Sequence, residues 1–547
     1  MRIDLRLMTA LDKVLLDMQP IERPEDQALS GFQNEVLSFQ AAYTIVEGPP
    51  RDYVALVIDS PIARFVRARM VRHVPVAFPA MYDADENLIS RSPGLYPDRL
   101  EELGEHRLRA YRGLWHSLWL DVEPGAAPGR HPIDVVLATG QGEELARRTQ
   151  WVEVLPASLP EQQLIHTKWF HADCLATHYG IEVFSEEHWR IIEHFARAAA
   201  NRGINMILTP IHTPPLDTRE GCERPTVQLV DVRLDGGVYS FGFDRLDRWV
   251  RMAQRAGMRY FEMAHLFTQW GARFAPKIVA TVGGEERRIF GWETPAAGPE
   301  YRAFLAAYLP ALTAHLRQLG IAGQCYFHIS DEPGADHLDS YLAAKAGAAP
   351  YLSGFPIIDA LSDFAFYENG AVEKPIPANN HIRPFLDARV PGLWTYYCVG
   401  QYKKVSNMFM AMPSARNRIL GSQLYKYDIE GFLQWGYNFY YSQFSDYPVD
   451  PYSVTDGDGF VPAGDPFQVY PRDDGMPEES IRMMVTAQAL YDLRALKLLE
   501  SLAGRDAAMA ALEGDLEQPI EFDRYPTSAG WLLAMRRRVN REIAARL

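Results

Sequence analysis

Gln324-Cys-Tyr-Phe-His-Ile-Ser-Asp-Glu-Pro-Gly334 is the stretch around which the chain is organised. Gln324 to Ser330 is a short, mostly apolar, aromatic-rich run of the length a buried strand needs. It ends in two adjacent carboxylates, Asp331 and Glu332. Pro333 disfavours the helical region for the residue before it, so an extended Glu332 is expected, and Gly334 lets the chain turn away. A strand that delivers two acids to its C-terminal end is how a barrel enzyme presents a proton-handling pair. The tripeptide alone also suits a solvated turn, so its meaning rests on its surroundings.

Those surroundings alternate strand and helix. Leu164–His171 reads as a strand, and Ser185 as the N-cap of an amphipathic helix reaching about Asn201, with Glu186 and Glu187 in its first turn. Ile204–Thr209 and Arg259–Ala264 are the next strands, separated by hairpin character around Asp235-Gly-Gly and a helix over Phe243–Ala256. A helix over Tyr301–Leu319 leads into the opening stretch as strand four. Pro356–Ala360, Gly392–Cys398 and Gly431–Tyr440 follow as strands, and Ala335–Ala346, Ile382–Ala388, Arg416–Tyr427 and Met476–Glu500 as helices. Alternation over about 300 residues predicts a (β/α)8 TIM-type barrel. A doubly wound sheet is the rival, but its Gly-x-Gly-x-x-Gly and Walker fingerprints do not occur.

Before residue 157 the pattern differs. Phe39–Val46, Tyr53–Ser60, Val66–Pro75, Trp115–Val122 and Ile133–Ala138 are short strands punctuated by Gly48-Pro-Pro, Ser92-Pro-Gly and Glu123-Pro-Gly turns. The expected architecture is multidomain: an N-terminal β-sandwich over 1–157, a supporting or carbohydrate-facing module, then a barrel with C-terminal helices over 158–547. The 547-residue length fits two or three domains. With 55 Lys plus Arg against 70 Asp plus Glu, the formal charge of −15 argues against nucleic acid or an anionic membrane as partner. Four scattered cysteines suggest neither a zinc ribbon nor a disulfide framework. The amino terminus lacks the apolar core of a secretory signal and no apolar run approaches the ~18 residues of a membrane span, so a cytoplasmic protein is expected.

Functional groups of a barrel belong at the C-terminal ends of its strands. Those ends carry Trp169 and His171, then His212, His265, and His328 with Asp331 and Glu332, then Trp394, Tyr396 and Tyr397, then Trp435, Tyr437 and Asn438. Aromatic faces stack on sugar rings, while carboxylates and imidazoles bind hydroxyls and move protons. Singly, each aromatic also suits packing and each histidine a structural role. The histidines raise a metallohydrolase alternative built on His171, His212, His265 and Asp331, although no His-x-His pair stands on the first strand. Consecutive Cα atoms are only ~3.8 Å apart, whereas paired glycosidase carboxyls stand ~5–5.5 Å or ~6.5–9.5 Å apart and normally come from different strands. Adjacent acids better suit a substrate-assisted plan, in which a sugar's own 2-acetamido oxygen attacks the anomeric carbon.

These residues resemble glycoside hydrolase family 123, the β-N-acetylgalactosaminidases, and bacterial proteins sharing that catalytic domain. The resemblance rests chiefly on Phe327-His-Ile-Ser-Asp-Glu-Pro333 and Gly431-Phe-Leu-Gln-Trp-Gly-Tyr-Asn438. It is supported by Trp169-Phe-His, Ser185-Glu-Glu-His-Trp189, Leu208-Thr-Pro, Thr213-Pro-Pro-Leu-Asp217 and Asp456-Gly-Asp-Gly. It implies a retaining, substrate-assisted exo-hydrolase of terminal β-linked N-acetylhexosamine, foremost N-acetyl-β-D-galactosamine, with neither metal nor cofactor. By matching position, Glu332 is the expected general acid/base and Asp331 the residue orienting the acetamido group. Trp394, Tyr396, Trp435 and Asn438 are expected as subsite walls, with His212 and His328 bonding hydroxyls or the acids. Asp465, in a late loop, is a candidate to approach the pocket. The expected partner is a glycan or glycoconjugate. The alternatives are a carbohydrate-binding pseudoenzyme on the same barrel or a glycosidase of different sugar specificity.

Overall fold

The computed structural model describes residues 1–21, 28–104 and 107–547. The N-terminal part is two five-stranded sheets. One runs, edge to edge, Arg2–Thr9, Leu37–Glu47, His116–Val122, Val66–Val76 and Gly94–Glu102, all antiparallel. The other runs Leu29–Phe32, Glu144–Leu155, Gly129–Ala138, Arg51–Asp59 and Arg107–Tyr111. Alternation sends Leu118, Leu120, Ile133, Val135 and Leu137 into one core between them. Trp119, on the opposite face of its strand, joins Val71, Val74 and Leu100 in the core of the following unit. The first sheet is therefore buried on both faces, which is why Ser117–Val122 is buried without alternation.

The second part is built on short parallel strands. We number them β1 (Ile165–Lys168), β2 (Met206–Thr209), β3 (Tyr260–Met263), β4 (Cys325–Phe327), β5 (Ile358–Ala360), β6 (Lys374–Ile376), β7 (Trp394–Tyr396) and β8 (Gly431–Gln434). Six form one sheet in the order β4-β3-β2-β1-β8-β7, and β5 pairs with β6 in parallel. Single parallel bridges, Phe327 to Ile357 and Ala378 to Tyr396, link that pair to the edges of the six. Helices follow the strands, among them Glu186–Asn201, capped by the Ser185 hydroxyl accepting from His188 N at 3.2 Å. Asp244–Ala256 and Pro299–Gln318 follow β2 and β3. Two hairpins, Asp231–Asp235 with Val238–Gly242 and Ile278–Val282 with Glu285–Phe290, join into a separate four-stranded sheet.

The helix Ile481–Ala503 packs on Ser414–Arg418 and Leu420–Lys426 and carries the junction to the N-terminal sheets. Arg482 makes a two-bond fork to Asp98 at 2.9 Å for both contacts. Just before the helix, buried Glu479 accepts from Arg69 and Arg202, while Arg69 also grips Asp121. Among the described residues no helix is long and apolar enough to cross a membrane. All four cysteines are free thiols.

Two local expectations are corrected, and one strand is added. Glu332 is not extended: its φ is +43°, in the left-handed region. Its N–H reaches Ala360 O at 3.0 Å, so a bond to β5 holds the turn that Pro333 would otherwise have straightened. The strand beginning at Gly431 stops at Gln434, because the Gln434 side chain turns to Asp465 O at 2.9 Å and the chain leaves the sheet. The strand β6 had no place in the sequence reading; its Pro375 and the following Pro377 hide a three-residue strand.

Candidate active site

The C-terminal ends of the parallel strands surround a cavity of about 190 Å³. Trp169 and His171 enter from β1, Leu216 and Asp217 from the loop after β2, and Gln269 and Trp270 from the loop after β3. Asp331 and Glu332 follow β4, Tyr396 ends β7, and Trp435 follows β8. The Trp435 indole N–H donates to Asp465 Oδ2 at 3.0 Å, which fixes the plane of that wall. Gly436 makes this possible, since a Cβ there would meet Pro466 O at 2.4 Å.

Within the cavity the two adjacent acids are held differently. Asp331 Oδ2 accepts from Gln269 Nε2 at 3.0 Å, and the same amide's oxygen accepts from Asp217 N. Glu332 Oε1 accepts from the Tyr396 hydroxyl at 2.6 Å, with the Cys398 thiol 3.9 Å away. Burial, then the charge of Glu332, raises the Asp331 pKa well above the usual carboxylate range, against the pull of His328 and Gln269. Burial also raises Glu332, opposed by Tyr396 and Cys398. Two such neighbours resist ionising together.

Beneath the acids lies a fully buried polar row. His328 Nε2 stands 2.6 Å from Glu262 Oε1 and Nδ1 stands 3.3 Å from Asp359 Oδ1. Burial works against a charged ring, yet Asp359 and Glu262 raise the His328 pKa to about 9. It is thus an imidazolium donating from both nitrogens. Glu262 also accepts from Trp169 Nε1 at 2.9 Å and Thr167 Oγ1 at 2.5 Å, and Asp359 from Ile329 N at 2.9 Å and Tyr341 OH at 2.5 Å. One network therefore orients a cavity wall and fixes the backbone two residues before Asp331.

Of the residues expected at the site, Asp331, Glu332, Tyr396 and Trp435 line the cavity. His328 lies under it. Trp394 is fully buried with its ring against Gly431, where a Cβ would come within 2.0 Å of the indole. Asn438 spends its amide on the backbone of His171, at 2.9 and 3.0 Å. His212 bonds His265 O at 2.8 Å, and burial lowers its pKa to about 4, leaving it neutral. His265 stacks on His328 at 4.1 Å between centroids. Among the described residues no group of three or more His, Cys, Asp or Glu could hold a metal ion, so the metal alternative finds no site. Asp465 stands behind Trp435 rather than in the wall, its pKa raised by burial to about 7.

Sequence reasoning missed Glu262, Gln269, Asp359 and Cys398. A lone acid inside an apolar strand, as in Tyr260-Phe-Glu-Met and Ile357-Ile-Asp-Ala, is a usable signal, because a buried charge requires a partner. Gln269 carries no such mark.

Comparison with known proteins concerns the family and the fold. The family model described as "Glycoside hydrolase 123, catalytic domain" matches residues 169–499. A family 123 glycoside hydrolase from Clostridium perfringens superposes with a TM-score of 0.74 at 16% identity, covering 99% of this chain and 98% of that one. A β-glucuronidase from Parabacteroides merdae reaches only 0.30 at 9% identity, covering 90% of this chain and 54% of that one, too low a likeness to support an argument. No curated protein matches by sequence. With the family model spanning more than half of its length, the chain belongs to glycoside hydrolase family 123.

Proposed function

We propose that the chain is a retaining exo-glycosidase that removes terminal β-linked N-acetylhexosamine, with N-acetyl-β-D-galactosamine preferred, by substrate-assisted catalysis. The observation that carries this reading is that adjacent Asp331 and Glu332 face one small cavity with separate donors, Gln269 on one and Tyr396 on the other. A bound acetamido N–H would add a donor to Asp331, favouring its ionised form, while burial favours the protonated form of Glu332. The acetamido oxygen then attacks the anomeric carbon as Glu332 protonates the departing oxygen, and Asp331 stabilises the cationic oxazolinium. Glu332, now a carboxylate, takes a proton from water, which opens the ring with overall retention.

The Clostridium perfringens relative is described in terms of glycolipid glycan hydrolysis. For this chain the proposed substrate is likewise a glycan or glycolipid ending in an N-acetylhexosamine. We read β1–β8 as a closed (β/α)8 barrel over 158–547 following a sandwich over 1–157; the two single bridges at the sheet edges support closure. The test is a panel of p-nitrophenyl glycosides. The N-acetyl-β-galactosaminide should be the best substrate of the wild type. Equal, slow release from it by wild type and Glu332→Gln would sink the proposal.

A further inference from the structure

The mechanism leaves one carboxylate of the cavity wall without a task. Asp217 is 7% exposed, lines the same cavity as Asp331 and Glu332, and is held from two other loops. Its N–H donates to Gln269 Oε1, its carbonyl accepts from Ser445 Oγ at 2.6 Å, and its Oδ2 accepts from Phe444 N at 3.1 Å. The backbone is in the left-handed region at Asp217 (φ +38°), Trp270 (+56°), Glu332 (+43°), Phe444 (+58°) and Ser445 (+56°). Such conformations are costly for side-chain-bearing residues and gather where structure is spent on function. One main-chain N–H occupies only part of a carboxylate's capacity of ~four acceptor positions.

Charge balance sharpens what Asp217 can bind. Among the described residues the wall contains no lysine or arginine. Arg224, behind it, gives its fork to Asp173 at 2.8 Å for both contacts and its remaining bonds to Leu216 O, His171 and Cys174 Sγ. Arg219 is paired with Asp446. The imidazolium of His328 lies between two carboxylates. The wall therefore offers carboxylate acceptors and no cationic partner for an anion; burial raises the Asp217 carboxyl to about 6, so it is ionised at neutral pH.

We propose that Asp217 is the specificity-determining carboxylate of this site, accepting hydrogen bonds from hydroxyls of the terminal sugar and making the pocket reject rings that carry sulfate there. The proposal deepens the hexosaminidase reading and rests on it. Hydroxyl donors to an ionised acceptor form the stronger class of hydrogen bond. A sulfate replaces that donor with a charge, and two like charges ~4 Å apart near a protein surface repel by enough to weaken binding roughly a thousandfold.

The test compares p-nitrophenyl N-acetyl-β-galactosaminide with its 4-sulfate and 6-sulfate. Wild type should prefer the neutral sugar over each ester by at least about a hundredfold in kcat/KM. In Asp217→Asn, kcat/KM for the neutral sugar should fall about tenfold, and the preference over at least one ester should narrow at least tenfold. Asparagine tolerates a left-handed backbone and keeps an oxygen for Phe444 N, so the loop should persist. A smaller wild-type gap for either ester, or unchanged ratios in Asp217→Asn, overturns the assignment while the hexosaminidase reading stands. No cleavage of the neutral sugar overturns both. The wild-type comparison needs no variant to fold.

Discussion

The Tyr396 hydroxyl donates a 2.6 Å hydrogen bond to Glu332 Oε1, so one oxygen of the proposed acid is already committed. On the proposed mechanism, Oε2 is the oxygen that would carry the proton to be delivered. A donor to the charged form lowers a carboxyl's pKa, and here it opposes the rise caused by burial. Tyr396→Phe removes it, so Glu332 should keep its proton to higher pH. The basic limb of the kcat/KM profile should move alkaline, with activity near neutrality falling about tenfold. A basic limb that stays fixed or moves acid would mean that Glu332 is not the titrating acid.

The acids themselves should separate by leaving group. Glu332→Gln should cost ~10²–10⁴-fold on substrates with poor leaving groups and less on nitrophenyl glycosides, which need little protonation. Azide should partly rescue Glu332→Ala with such activated substrates. Asp331→Asn should lose activity on the order of a thousandfold with every leaving group. It should also raise Tm by ~1–3 °C, because a neutral amide replaces a carboxyl whose ionisation is opposed by burial and by Glu332. Kinetics across a leaving-group series, paired with thermal melts, reads both effects.

How much of this was legible beforehand depends on the kind of signal. Strand β4 and its two acids stood out because an apolar run ending in Asp-Glu-Pro is a local pattern. The helix after Ser185 was marked by its cap and its first-turn acids. The conformation of Glu332 was not legible, since a tertiary bond to Ala360 O overrides the preference imposed by Pro333. Trp394 and Trp435 are alike in sequence, at or beside strand ends. Only packing separates them: Gly431 gives Trp394 a slot in the core, while Asp465 turns Trp435 into the cavity wall. Gln269 is decided by loop geometry alone.

Substrate assistance carries its own consequence. If the acetamido oxygen is the nucleophile, the corresponding plain galactoside lacks the attacking group, and its turnover should be slower by on the order of a thousandfold. A thiazoline analogue of the intermediate should inhibit at least ~10²-fold more tightly than substrate binds. Rapid cleavage of the plain galactoside would require a protein nucleophile instead, and trapping with a fluorosugar would then label one carboxylate.

The His328 row predicts an alkaline weakness. Its pKa rises from the ordinary ~6.5 to about 9, because Asp359 and Glu262 outweigh burial. A raised basic group contributes stability that is fully present below about pH 6.5 and is lost as pH rises through about 9. The difference corresponds to about 3 kcal/mol. Asp359 is itself raised by burial, against the pull of His328, Tyr341 and Ile329 N. Tm should therefore decline between pH 6.5 and 9 in the wild type. In His328→Gln that decline should be absent, from a starting stability about 3–5 kcal/mol lower. Denaturant melts at several pH values measure it.

Glu479 makes the opposite prediction at the junction between the two parts of the chain. Burial alone would raise its pKa, but Arg202 and Arg69 hold it well below the usual carboxylate range. A depressed acid contributes stability above its unfolded pKa of ~4.3, and that contribution is lost as pH falls toward the folded value. Glu479→Gln leaves Arg69 and Arg202 facing each other with Asp121 as the remaining acid partner of Arg69, so a loss of about 3–5 kcal/mol is expected near neutrality. The variant should also lose the wild type's steep fall in Tm below about pH 4. Because the bond joins the segment just before the helix Ile481–Ala503 to the sheet holding Arg69 and Asp121, limited proteolysis should cut the variant first between the N-terminal sheets and β1. A variant that melts and digests like wild type would show that apolar packing around Trp119 suffices to hold the two parts together.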